Sequence, residues 1–155
     1  MPEPSAEEVA AWFTLGRVPS RMPWWAAERL AEGHDGEALR ELAGLNDGDA
    51  RAIGDLLPAA LAELGQDPAQ GRLAAATTVF RSLAAGCLAG NVDERSVAQQ
   101  VEQIVTECEF DDAVLALPLG RLYGLEDEWL GGWGSSVREL RETVRVRCAE
   151  QVAAA

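Results

Sequence analysis

Start and stop signals for helices recur along the whole chain, and no stretch alternates apolar and polar residues for long enough to read as a strand. Ser5 and Glu8 stand at capping-box spacing ahead of Val9, Trp12, Phe13 and Leu15, and Gly16 ends that helix. Pro23 suits the first position of a second helix closing at Gly33, with Trp24, Ala27 and Leu30 on one face. Trp25 then points roughly 100° away from Trp24. One of the two is expected in the core and the other against a neighbour or in solvent. Asp35 is the expected cap of a short helix over Glu37 to Ala43. The Asn46–Asp49 turn caps the next, which Pro58 is expected to break or kink.

The second half continues the pattern. Asp67–Pro68 predicts the start of the longest helix, to Ala89, with a stripe of Leu73, Ala76, Phe80, Leu83, Ala84 and Cys87. Asp93 caps a helix carrying Val97, Val101, Ile104, Val105 and Cys108 inward. Asp111 and Asp112 open a segment interrupted by Pro118, and an irregular region follows through Tyr123 to Trp129. Ser136 and Glu139 repeat the capping-box spacing before a final helix with Val137, Leu140, Val144 and Cys148 inward. These signals predict an all-α, single-domain bundle of about eight helices over residues 1–155.

Charge constrains the partners. The chain has 26 Asp and Glu against 13 basic residues, all of them Arg, for a net of −13. That exceeds the magnitude of about 2–8 usual for a small soluble domain. Such a field repels phosphate backbones and anionic lipid surfaces, so neither nucleic acid nor membrane is an expected partner. A basic protein is; solubility alone is the plainer explanation of the acidity. Cys87, Cys108 and Cys148 are odd in number and form no CxxC pair, so buried reduced thiols and a cytoplasmic location are expected. No stretch approaches 18 apolar residues, and the N-terminus lacks a signal-peptide pattern.

The segment EDEWLGGWGSS holds the main candidate site. Glu126, Asp127 and Glu128 precede Trp129, and Trp133 lies among glycines that cover a large ring poorly. An exposed aromatic beside charges is a common anchor for a protein partner. The competing expectation is that both rings fold back into the core, because aromatic burial is worth several kcal/mol at most and usually wins. Glycines before a helix could also receive an anion, but the P-loop Lys and spacing are missing and the acids oppose phosphate.

Other chemistries find less. His34 is the only histidine, which excludes a two-histidine zinc motif within the chain. NDGDARAIGD fails as a calcium loop because Pro58 stands where a bidentate Glu is needed. A carboxylate site for Mg²⁺ or Ca²⁺ built from Asp111, Asp112, Glu126 or Glu128 would support a metal enzyme acting on a polar or phosphorylated small molecule. No GxSxG or triad pattern is present, and no cofactor is expected. Residues Glu37 to Leu64 read like a helix-turn-helix, yet the second helix carries Asp47, Asp49 and Asp55 against Arg51, the wrong charge for DNA.

The phrase PWWAAERLAEGHDGEALRELAGL, Pro23 to Leu45, followed by DLLPAALAELG, Asp55 to Gly65, resembles an N-terminal segment of small actinobacterial helical proteins. LYGLEDEWLGGWG, Leu122 to Gly134, looks like a fragment of the same kind of protein. The resemblance implies a helical fold and transfers no functional residue. Size and acidity are similar to those of bacterial toxin-immunity proteins, again with no motif in common. The leading expectation is a non-enzymatic protein-interaction module, an immunity- or antitoxin-like inhibitor of a basic partner. The metal enzyme and a helix-turn-helix regulator stand as alternatives.

Overall fold

The structure, a computed structural model, describes residues 3–154. Their regular structure is all helical, with nine α-helices and no strand among the described residues. They group into two compact units that divide after Gly71.

The first unit holds α1 (Ala6–Thr14), α2 (Met22–Ala31), α3 (Glu37–Ala43) and α4 (Ala50–Glu63). Ser5 caps α1 by accepting the Glu8 N–H at 3.1 Å, as its spacing predicts. On α2 one tryptophan is buried and the other exposed, as expected, while the cap expected on α3 is corrected. The buried face of α2 is Met22, Pro23, Trp25 and Ala26, while Trp24 and Ala27 face outward. Trp25 wins the core because its indole N–H reaches the Pro4 carbonyl at 2.8 Å, which removes the cost of burying that donor. Trp24 remains at the surface, donating to Glu3 at 3.0 Å.

The start of α3 is not capped by Asp35, which pairs with Arg40 at 2.8 Å instead. The cap comes from the end of α4. Glu63 Oε2 accepts the Ala38 N–H at 3.1 Å, and Oε1 accepts the Leu39 N–H at 2.8 Å. Gly36 makes room for this fork, since a Cβ there would collide with the Glu63 carboxylate. Pro58 does not end α4, which runs on to Glu63. The helix gives up only the hydrogen bond to the Gly54 carbonyl, and packing of Ile53, Leu57, Ala60 and Leu61 outweighs that loss.

The second unit is built on α5 (Arg72–Leu88) and α9 (Val137–Ala153), the most extensively packed helix pair. Ala75, Ala76 and Ala84 keep the surface of α5 shallow, so α9 approaches closely with Leu140, Val144 and Cys148. Cys87 on α5 and Cys148 on α9 are both buried. The helix α5 begins at Arg72 rather than Pro68, because Asp67 is spent on a local turn to the Ala69 N–H at 2.8 Å. Its first turn leaves Leu73 exposed, and Val137 in the first turn of α9 is also 48% exposed, so neither faces inward as the sequence stripe suggests.

Around this pair lie α6 (Glu94–Glu107), α7 (Asp112–Leu115), a 3-10 turn (Leu119–Leu122) and α8 (Leu125–Gly131). Asp93 caps α6 as expected, accepting the Ser96 N–H at 2.8 Å. Arg72, at the start of α5, donates to the Cys108 carbonyl at the end of α6 at 3.0 Å. The 3-10 turn is pinned by the buried Gln151, whose Oε1 accepts the Leu119 N–H at 3.1 Å. Gly120 meets the Val114 carbonyl so closely that no side chain fits there.

Two predictions follow from these contacts. Replacing Glu63 by Ala should lower unfolding stability by about 1 kcal/mol, the usual worth of a helix cap, with Glu63→Gln losing less. Urea denaturation of both variants measures it, and equal stability of wild type and Glu63→Ala would refute the cap. The second concerns alkaline pH. Burial, reinforced by the neighbouring Cys87, pushes the Cys148 thiol from an ordinary 9.0 up to about 12. In the unfolded chain the thiol ionises first, so the unfolded state holds fewer protons than the folded one across that window. Stability is therefore complete below pH 9 and declines as pH rises toward 12. Cys148→Ala should show a shallower decline over the same range, whatever its stability at neutral pH.

Candidate functional site

The region read from sequence as irregular contains a helix. Residues Leu125–Gly131 form α8, with Glu126, Asp127 and Glu128 in its first turn, where negative charge suits the helix dipole. Alternating apolar residues are too few here to show a period, so the acids themselves were the readable signal. Gly124 opens α8 at φ +92°, a conformation that favours glycine, and its N–H donates to Glu102 of α6 at 2.9 Å.

The three acids then diverge. Glu126 turns onto α6, accepting from Arg95 at 3.4 Å and from Gln99 at 3.3 Å, and its side chain is only 14% exposed. Asp127 faces solvent. Glu128 is half-buried, with its carboxylate against Gly134.

The two tryptophans also part. Trp129 is half-buried, whereas Trp133 is 61% exposed. Its indole lies on the backbone of Gly131, where a Cβ would collide with the ring. Gly132 at φ +65° ends α8 in the left-handed conformation, and Gly134 at φ +78° redirects the chain into α9. Ser136 starts α9, accepting the Glu139 N–H at 3.2 Å. Leu130, which sequence reasoning passed over, is 68% exposed, the largest value among the exposed large hydrophobics. Val137, in the first turn of α9, is also exposed. Leaving a ring of this size mostly in water forgoes about 2–3 kcal/mol of burial free energy.

The metal candidates are used otherwise. Asp111 caps α7 by accepting the Ala113 N–H at 2.8 Å, and Asp112 is the first residue of that helix. Among the described residues, no group of three or more His, Cys, Asp or Glu side chains is arranged to hold a metal ion. In the NDGD turn, Asn46 accepts the Gly48 N–H at 2.9 Å and Asp49 accepts the Ala52 N–H at 3.2 Å, which accounts for both as turn and cap. His34 is exposed in a turn. No described helix is long and apolar enough to cross a membrane. Comparisons with family models, curated proteins and solved structures find no match.

The seating of Trp133 is testable by fluorescence. Trp133→Phe should remove emission that is red-shifted and readily quenched by acrylamide. Gly131→Ala should displace the ring while leaving helix content unchanged or slightly raised, since Ala favours helix over Gly by about 1 kcal/mol. An unaltered Trp environment in Gly131→Ala would show that the ring does not lie on that backbone.

Proposed function

We propose that the chain is a non-enzymatic protein-interaction module, an immunity- or antitoxin-like inhibitor whose partner is a basic protein. The observation that carries this reading is the acid excess, 26 carboxylates against 13 Arg. Six of the 13 Arg, namely Arg29, Arg40, Arg72, Arg95, Arg145 and Arg147, are engaged with carboxylates of the same chain. That leaves uncompensated Asp and Glu side chains to set the external field. A negative field of this size raises the encounter rate with a cationic partner and weakens as salt screens it. The second helix of the helix-turn-helix-like pair, α4, carries Asp55 on its exposed side and is capped by Asp49, which works against DNA.

Titration against the basic proteins encoded next to its gene tests the proposal. Binding should be tight at low salt, and log affinity should fall as log salt rises, chiefly through a slower association rate. A partner set that is acidic or neutral, or affinity indifferent to salt, overturns it.

A further inference from the structure

We infer that the surface formed by Leu130, Trp133 and Val137 at the junction of α8 and α9 is a docking site for a cationic amphipathic helix of a partner protein. The inference rests on the proposed basic partner and deepens it by locating the contact and naming what fits there. Among the described residues Leu130 and Trp133 are the two most exposed large hydrophobic side chains, at 68% and 61%, and Val137 is 48% exposed. All three come from one short stretch of chain, so their exposure forms a local feature rather than scatter. The backbone is arranged to keep it so. Gly131 carries the indole on its outer side, and two left-handed glycines, Gly132 and Gly134, reverse the chain without covering the ring.

Charge decides the occupant. From Glu126 to Val137 there are three carboxylates, of which Glu126 is already paired with Arg95, and the first cation is the exposed Arg138 next to Val137. Asp127 is exposed, and Glu128 sits beside Gly134 at the edge of the apolar surface. Glu139 in the first turn of α9 adds a fourth carboxylate just beyond it. An apolar centre with an anionic margin is complementary to apolar anchors flanked by Lys or Arg. The described residues contain no strand, so no sheet edge is available to pair with an extended peptide. A helix presenting apolar residues at three- and four-residue spacing, with cations beside them, satisfies its own backbone and supplies both halves of the complement.

The probe is a synthetic Leu/Lys amphipathic helical peptide, compared with a Lys peptide of equal charge lacking apolar residues. The full chain is titrated with each while Trp emission is followed. The expected result is a blue shift with the amphipathic peptide, binding at least tenfold tighter than the Lys peptide, and partial persistence at high salt. Trp133→Ala and Leu130→Ala should each weaken the amphipathic peptide at least fivefold and leave the Lys peptide unchanged. Circular dichroism confirms that both variants remain helical, and Leu73→Ala, exposed elsewhere in the same unit, serves as the control. If the amphipathic peptide binds equally to wild type and both variants, the docking site is wrong while the basic-partner reading stands. If neither peptide binds at low salt, that reading fails as well. A concentration-dependent dimer abolished by Trp133→Ala would assign the surface to a second copy of the chain and overturn the inference.

Discussion

Every helix leaves its first N–H groups without partners inside the helix, and a fold made of many short helices multiplies that demand. Here the demand is met largely by acidic side chains. Asp49, Asp93 and Asp111 cap the helices that follow them. Glu63 caps α3 from another helix, and Glu102 receives the Gly124 N–H where α8 begins. Part of the acidity is thus architectural: it holds the ends of helices in place and opposes the positive ends of their dipoles. The remainder, facing water, is what a partner would meet.

The same demand explains which features were legible in sequence. Caps that lie next to their helices, such as Ser5, Asp49, Asp93 and Ser136, are readable because the acceptor and its N–H are three residues apart. The cap on α3 is not readable. Glu63 lies 25 residues from Ala38, and only the packing of α4 on α3 brings them together. Asp35, with the right spacing, went to Arg40 because Gly36 places the α3 terminus under Glu63 instead. The break that Pro58 suggested is absent for a related reason. A proline costs one hydrogen bond, and burial of the residues around it in the core outweighs one bond.

The candidate surface was half visible. Its acids and glycines stand out in sequence, and the glycines do leave Trp133 uncovered. Composition could not separate Trp129 from Trp133, nor Glu126 from Asp127. That separation depends on α8 being a helix whose inner side faces α6, through Arg95 and Gln99. Leu130 and Val137 read as ordinary helix residues until the helix ends that hold them outward are in place.

The seating of Trp133 on Gly131 has one more consequence. A large side chain free in water samples many rotamers, and a partner that captures it must freeze them, at about 0.5–1.5 kcal/mol for each immobilised side chain. An indole already resting on a backbone has surrendered much of that freedom before any encounter. The glycine that leaves the ring exposed also gives it a backbone surface to rest on, which narrows the rotamers it has to lose on binding. Mutations that loosen this seat would then weaken association without removing a single contact atom.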